Sequence, residues 1–131
     1  MAASIKYNNI AKSHLAGIVE LCQAENWPSY SQDPNLTWKA LTAPGATTIV
    51  AVESERVVGF AQMQSYGLIQ AHLSLIVVAQ DYRRQGIGTR LVTEAFARGG
   101  GKRIDAVTED AQDFYRFFEH KEWSGFRIHP G

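Results

Sequence analysis

The spacing of apolar and polar residues in the first third of the chain predicts a short strand followed by helical structure. A strand is expected at 5–7, and apolar residues at helical spacing predict a helix over 14–25. Ser13 directly precedes this helix and is predicted to be its N-cap. The segment 26–44 contains three prolines, so we expect it to be mostly loop, with one short helix near 36–41.

Three apolar segments in the middle of the chain predict a meander of strands. The β-branched run at 47–52 is expected to form one strand, and 57–64 is expected to return antiparallel to it after a turn at 53–56. The third segment, 71–78, ends in four consecutive apolar residues. Such an ending is typical of a strand that is buried on both faces.

Helical periodicity returns after this meander. An apolar stripe predicts a helix over 86–98, a short strand is expected at 103–107, and aromatic residues three or four positions apart predict a second helix over 110–119. The tail at 123–129 is expected to add a last strand. A strand meander followed by strand–helix units indicates an α/β fold, in which a mixed sheet carries helices on both faces.

Composition and charge narrow the range of functions. The chain has 131 residues, of which 45% are hydrophobic and 20% are charged, so we expect a single domain over 1–131 with a substantial core. The formal net charge is zero, which argues against a nucleic-acid partner. The N-terminal residues lack the apolar run of a signal peptide, and no segment is suited to span a bilayer. We therefore expect a cytoplasmic protein without a membrane partner.

Cysteine and histidine chemistry contributes little to the prediction. Cys22 is the only cysteine, so an intramolecular disulfide is excluded, and its apolar neighbours favour a buried thiol. The four histidines are scattered without the spacing of metal ligands, so no metal site is predicted.

The segment from Arg83 to Thr89 follows an apolar strand and opens the predicted helix at 86–98. Gly86 and Gly88 allow a tight turn and a close approach of the backbone to a ligand. The first turn of a helix leaves N–H groups free and favours an anion. Arg83 and Arg84 add positive charge. These features suit a pyrophosphate, although a helix start with two solvated arginines explains the same residues equally well.

A longer pattern around this segment resembles the cofactor motif of the GNAT superfamily of acetyl-CoA-dependent N-acetyltransferases. Arg83, Gly86 and Gly88 occupy the defining positions of the family's Arg/Gln-x-x-Gly-x-Gly/Ala motif, and Tyr82 before them is also typical. The order of the predicted elements agrees with the family along nearly the whole chain. The resemblance implies a mostly antiparallel sheet of about six or seven strands, with a splayed strand pair at the cofactor site.

The resemblance also implies the cosubstrate and the residues that hold it. Acetyl-CoA would be bound through Ile76, Val77 and Val78 along the pantetheine arm and through Arg83, Arg84, Gln85, Gly86, Ile87, Gly88 and Thr89 around the pyrophosphate. In this family the acceptor amine attacks the thioester directly, without an acyl-enzyme. The absence of a Gly-x-Ser-x-Gly sequence agrees with such a route.

Tyr115 is the candidate acid that protonates the leaving thiolate. It lies in a segment beginning at Ala111 that resembles the family's Ala-x-x-apolar-Tyr pattern, and a phenol remains protonated at neutral pH. The alternative is that Tyr115 is an aromatic core residue. The family's Gly-Phe pair is replaced here by Glu119 and His120, and a register shifted by three would place Phe118 on the tyrosine position.

The sequence gives weaker signals for the base and for the acceptor site than for the cofactor loop. His72, on the strand before the cofactor loop, and Glu109 are candidate bases, with a solvated or structural role as the alternative for each and water-mediated deprotonation as a third route. Four residues are candidates for the acceptor site, as aromatic walls or polar contacts. They are Trp27, Tyr30, Gln64 and Tyr66.

Three functions remain open at this stage. The first is acetylation of a small-molecule primary amine, by a monomer or a homodimer. The second is acetylation of a protein or peptide amino group, because family resemblance does not choose the acceptor. The third is a non-catalytic module that binds acyl-CoA, a reading that the Glu119-His120 departure supports.

Overall fold

The computed structural model describes residues 4–131, in which one five-stranded sheet forms the centre of the fold. The strands follow one another in the sheet in chain order: β1 (Lys6–Asn9), β2 (Ala46–Glu53), β3 (Arg56–Ser65), β4 (Gln70–Val78) and β5 (Arg103–Asp105). The helices are α1 (Leu15–Ala24), α2 (Pro28–Ser31), α3 (Pro34–Leu41), α4 (Ile87–Gly99) and α5 (Gln112–Arg116). Strands β1 to β4 pair antiparallel, whereas β5 pairs parallel to β4. The mixed, mostly antiparallel sheet confirms the predicted fold class.

No helix in the described part of the chain is long and apolar enough to cross a bilayer.

The start of α1 differs from the prediction. Ser13 lies inside a single 3-10 turn, Lys12–His14, and His14 is the N-cap of α1 without a side-chain capping bond. The predicted Ser13 cap is therefore wrong, because the preceding 3-10 turn moves the start of the helix by one residue. The His14 imidazole instead accepts a hydrogen bond at Nδ1 from the Ala11 N–H (2.9 Å).

The segment after α1 is more helical than the prolines suggested. Pro28 and Pro34 each stand at the beginning of a helix, where the missing N–H removes no intrahelical bond. Asp33 caps α3 through a hydrogen bond from the Leu36 N–H (3.2 Å). The same residues that interrupt a helix in its interior therefore start α2 and α3.

The central hairpin forms at the predicted turn. Ser54 and Glu55 connect β2 to β3 with φ angles of 45° and 71°. Two consecutive left-handed residues match the right-handed twist of the flanking strands, as in a type I′ turn.

Helices cover both faces of the sheet, as predicted. On one face α4 contributes the buried Leu91 and Ala95 to a core that also contains Met63 of β3. On the opposite face Ile18 of α1 packs in a second core with Phe60 of β3. The sheet is thus the middle of three layers.

A β-bulge interrupts β4 at Ser74. Gln62 of β3 pairs with Leu75, but the next residue, Met63, pairs with Leu73, so Ser74 has no partner in the register. The extra residue reverses the alternation of side chains along β4. Leu73 packs on the α4 side before the bulge, and Ile76 packs on that side after it.

The C-terminal region is less regular than predicted. α5 has five residues instead of the expected ten at 110–119, and the strand predicted at 123–129 is absent. Phe126 and Ile128 alternate with polar residues, as in a half-buried strand, yet they are 88% and 82% exposed. Alternation alone predicts a strand only where a neighbouring strand completes the hydrogen bonds, and this segment pairs with no strand of the described chain. The sheet consequently has five strands and not six or seven.

The packing of α4 gives a first prediction. Leu91 is fully buried, so Leu91→Ala should lower the free energy of unfolding by about 3 kcal/mol through lost burial and a cavity. Leu68→Ala is the matched control, since Leu68 is 73% exposed and its loss should cost under about 0.5 kcal/mol. Urea denaturation measures both, and equal losses for the two variants would contradict the assigned core.

Candidate active site

The candidate site begins where β4 separates from β5. β5 pairs with β4 only over Gln70–His72 and ends at Asp105. From Leu73 to Val78, β4 pairs with β3 alone, and its other edge faces no strand of the described chain. An unpaired edge presents backbone donors and acceptors to a ligand, as in β-strand addition. The predicted splayed pair is therefore present.

The direction of the peptide groups along β4 shows which residues offer them at this edge. The Ala79 N–H donates to the Val58 carbonyl on the β3 side (2.8 Å). Because neighbouring residues of an antiparallel strand direct their peptide groups to opposite sides, Val77 faces β3 while Ile76 and Val78 face the open edge. Ile76 and Val78 therefore have the orientation that an extended amide ligand requires.

The loop after β4 presents further N–H groups at the start of α4. The first helical bond runs from the Arg90 N–H to the Gly86 carbonyl (3.1 Å). The N–H groups of Ile87, Gly88 and Thr89 precede it in the first turn, so they have no acceptor within the helix. They lie at the positive end of a thirteen-residue helix. This arrangement fits a diphosphate.

The two glycines of the motif have different physical reasons. Gly86 has φ = +82°, a conformation that L residues avoid, and a Cβ built on it meets no atom within 4 Å. A Cβ on Gly88 would instead lie 2.9 Å from Cε1 of Phe114. Gly86 therefore serves the turn, whereas Gly88 allows the α5 ring to pack on the start of α4.

The Arg83 guanidinium is occupied by protein acceptors. Its Nη2 donates to Oε1 of Glu25 at the end of α1 (2.8 Å), and its Nε donates to the Val78 carbonyl (3.0 Å). Arg84 is exposed, with φ = +63°. The two neighbouring arginines, both predicted to attract a pyrophosphate, thus have different surroundings.

A set of polar contacts fixes the loop to the β2–β3 hairpin. Arg56 donates two hydrogen bonds to Asp81 (3.0 and 3.2 Å) and lies over the Tyr82 ring at 5.0 Å. The Tyr82 hydroxyl donates to Glu53. The Arg56 hydrogen bonds lower the pKa of the Asp81 carboxyl, so the pair stays charged at neutral pH. Sequence reasoning missed these contacts, because residues 25 or more positions apart give no local signal.

Tyr115 lies on α5, next to Phe114, which packs on the start of α4. Its ring is half-buried and packs edge-to-face on Phe114, with ring centroids 5.1 Å apart. Burial raises the pKa of the Tyr115 phenol above its ordinary value. The hydroxyl therefore keeps its proton at neutral pH, as an acid requires. Phe118, the alternative in the shifted register, packs against the same core three residues later, beyond the end of α5.

The candidate bases occupy different positions. His72 is exposed on β4 and lies opposite Gln64 of β3, whose Nε2 donates to Ser74 Oγ (2.7 Å). Side chains of Ala71 and its alternate neighbour Leu73 enter the α4 core, so His72 points to the α1 face. Glu109 is exposed in the loop after β5.

Trp27 and Tyr30 lie on the α1 face, near the end of β4. Their rings meet edge-to-face with centroids 6.4 Å apart, and both pack against the core that contains Val77. The predicted acceptor residue Tyr66 is instead 95% exposed in the loop between β3 and β4. Trp27, Tyr30 and Gln64 thus lie on the same face of the sheet, whereas Tyr66 is exposed to solvent.

Cys22 is buried in the α1 core, as predicted. Burial raises the pKa of its thiol to about 11, with a smaller contribution from the charge of Glu25. A thiol in this state is a poor nucleophile at neutral pH.

Comparison with known proteins assigns the family. The model of the GNAT acetyltransferase family matches residues 13–119, which include β4, the glycine loop and Tyr115. The chain belongs to the GNAT family of acetyltransferases. Among curated protein sequences, none matches this chain.

Solved acetyltransferase structures share the fold over 97–100% of this chain. The aminoglycoside N-acetyltransferase AAC(6')-Iy in complex with CoA is 17% identical, with a TM-score of 0.78 over 100% of this chain and 97% of that chain. A GNAT family protein from Streptococcus pneumoniae is 22% identical, with a TM-score of 0.73 over 98% of each chain. An aminoglycoside acetyltransferase from an uncultured soil metagenomic sample, in complex with sisomicin, is 18% identical, with a TM-score of 0.73 over 97% of each chain. Such identities establish the fold and leave the substrate open.

The contact between Gly88 and Phe114 gives a second prediction. Gly88→Ala forces the Phe114 ring to move, so the free energy of unfolding should fall by about 1–3 kcal/mol. Phe114→Leu supplies the control, because a smaller side chain leaves room for the new methyl group. Urea denaturation of the double variant should show a smaller loss than the sum of the single variants. Strictly additive losses would show that the two residues do not contact each other.

Proposed function

We propose that this protein transfers the acetyl group of acetyl-CoA to a primary amine of a small molecule. The observation that supports this most strongly is the unpaired edge of β4, which leads directly to the free N–H groups at the start of α4. An extended amide-containing arm that ends in a diphosphate matches this sequence of groups. Coenzyme A has that chemistry.

The chain would hold the coenzyme mainly through its backbone. Ile76 and Val78 turn their peptide groups to the open edge, where the pantetheine amides would bind. The N–H groups of 87–89 would receive the diphosphate, and Arg84 adds an exposed positive charge beside them. Bound acetyl-CoA supplies the activated acetyl group, and the side chains around it supply the proton transfers.

Tyr115 is the proposed acid. The proposal is supported by its half-buried ring on α5, which packs against the Phe114 ring that contacts Gly88. Its raised pKa keeps the proton on the phenol until a thiolate develops. Phe118 has no ionisable group, so in the shifted register this task would fall to water.

His72 is the proposed base, with water-mediated deprotonation as the alternative. It is exposed on the α1 face of β4, and Gln64 and Ser74 provide polar groups beside it. Histidine is the side chain that most often serves as a general base in enzymes. Glu109 has no comparable support, because within residues 4–131 no hydrogen bond or ion pair joins its side chain to β4.

Small amines are favoured over peptide amino groups by the aromatic pair and by the structural neighbours. Trp27 and Tyr30 form an edge-to-face wall beside the end of β4, which suits a compact organic ligand. Several solved neighbours are aminoglycoside acetyltransferases, one of them in complex with sisomicin. Peptide acetylation and simple acyl-CoA binding remain as outcomes of the test below.

Thiol release in the presence of amines is the third prediction. With acetyl-CoA present, small amines including sisomicin should raise the rate of free thiol formation well above that with peptides carrying free amino groups. Turnover only with peptides would replace the proposed acceptor class. Stabilisation of the protein by coenzyme A without turnover on any amine would indicate a non-catalytic binding module.

The role of Tyr115 gives a fourth prediction. Tyr115→Phe keeps the packing on Phe114 but removes the phenolic proton, so kcat should fall by roughly 10²-fold while the Kd for coenzyme A stays within about twofold. Phe118→Leu serves as a control for altered packing in the same aromatic cluster and should change kcat far less. An unchanged kcat for Tyr115→Phe would remove this residue from the mechanism.

A further inference from the structure

Arg83 and Arg84, the two arginines in the loop between β4 and α4, have different surroundings. Arg83 has two acceptors on different elements: the Glu25 carboxylate at 2.8 Å and the Val78 carbonyl at 3.0 Å. Its side chain is 49% exposed and that of Glu25 is 33% exposed, so the pair lies at the edge of the fold. Arg84 next to it is exposed and in a left-handed conformation.

The two acceptors of Arg83 connect the two sides of the proposed site. Val78 is one of the two residues that turn their peptide groups to the open edge of β4, and its carbonyl is held by the Arg83 Nε. Glu25 is the C-cap of α1, and the chain turns at Asn26 (φ = 59°) directly before Trp27. The Arg83 guanidinium thus fixes both the end of the open edge of β4 and the turn that leads to Trp27.

A small cavity lies beside this connection. Its volume is about 180 Å³, and Leu21 of α1 and Val77 of β4 belong to its lining together with the Arg83–Glu25 pair. The end of α1 is therefore not packed solidly against the end of β4. The ion pair bridges a gap that apolar contacts leave partly open.

We infer that Arg83 is a positioning residue for the coenzyme site, acting through Glu25 and the Val78 carbonyl, and that Arg84 is the cation that faces the diphosphate. This inference rests on the proposed coenzyme site and deepens it. A guanidinium suits the task, because its planar fork donates in two fixed directions at once.

The alternative is that Arg83 binds the diphosphate directly and Glu25 merely competes for it. The two accounts predict opposite signs for the same substitution. Removing the Glu25 charge takes a negative group away from a polyanionic ligand and frees Arg83, so direct binding predicts tighter coenzyme binding. Positioning predicts weaker binding, because the ion pair that orients the Arg83 side chain is reduced to a weaker hydrogen bond.

Isothermal titration of coenzyme A into Glu25→Gln decides between these accounts. We expect Kd to rise about five- to tenfold, a change that corresponds to about 1–1.4 kcal/mol. Arg83→Gln should show a similar or larger rise, and the double variant should bind no more weakly than Arg83→Gln alone. Tighter or unchanged binding by Glu25→Gln would overturn the positioning role.

Glu20→Gln is the matched control for charge. Glu20 is exposed on α1 just over one turn before Glu25, so this variant removes the same charge without breaking the connection and should leave Kd within about twofold. If Glu20→Gln weakened binding as much as Glu25→Gln, the effect would belong to helix charge and the positioning role would be contradicted. Melting temperatures without ligand should stay within a few degrees of wild type, because partly exposed ion pairs contribute little to stability.

Arg84→Gln tests the second half of the inference. It should weaken coenzyme A binding by roughly tenfold, since a cation at a diphosphate is lost. Its effect should add to that of Glu25→Gln, because the two residues act independently. Wild-type protein that binds no coenzyme A would overturn the proposed function together with this inference. Wild-type binding with the wrong sign for Glu25→Gln would overturn the inference alone.

Discussion

The early separation of β4 from β5 is the constraint on which the site depends. Parallel pairing of the two strands covers only three residues of each, and β4 then continues for six more with a single neighbour. Unpaired backbone in a sheet normally invites aggregation or requires a cover. In this fold the open edge lies beside the start of α4, whose free N–H groups extend the same row of unsatisfied backbone. A ligand with amides followed by phosphates satisfies both parts.

Several side chains hold the loop between β4 and α4 in place through contacts with other parts of the chain. Arg56 and Asp81 fix the turn after β4 to the central hairpin, and Arg83 fixes the end of β4 to α1. On the other side, Phe114 of α5 packs on Gly88. The glycine loop is therefore held from three directions by separate elements. Its backbone can present N–H groups in one fixed orientation, which lowers the entropic cost of binding an anion.

Much of this fold was predictable from the sequence, because its main elements depend on local patterns. The β-branched run of β2, its antiparallel return in β3, the apolar end of β4 and the stripe of α4 each predicted an element within two residues of its observed bounds. The glycine motif identified the family, and the family model confirmed it. Local pattern failed where distant partners decide the structure. The tail at 123–129 has the alternation of a strand but no strand beside it.

The sequence predicted the candidate site as a set of residues, without the contacts that orient their side chains. The motif placed Gly86 and the start of α4, but it gave no signal of the Glu25 partner of Arg83, which is 58 positions away. The bulge at Ser74 contains neither glycine nor proline, so no residue type in the sequence indicated it. It nevertheless decides which side chains of β4 face α4 and which face α1.

In the proposed site, exposed backbone and not a side-chain pocket holds the coenzyme. Amide hydrogen exchange followed by NMR, with and without coenzyme A, tests this residue by residue. We expect coenzyme A to slow the exchange of the amides of Ile76, Val78 and 87–89. The exchange of the Val77 amide should change little, because its N–H already faces β3. If coenzyme A binds but leaves the exchange of the Ile76, Val78 and 87–89 amides unchanged, the backbone does not hold the coenzyme.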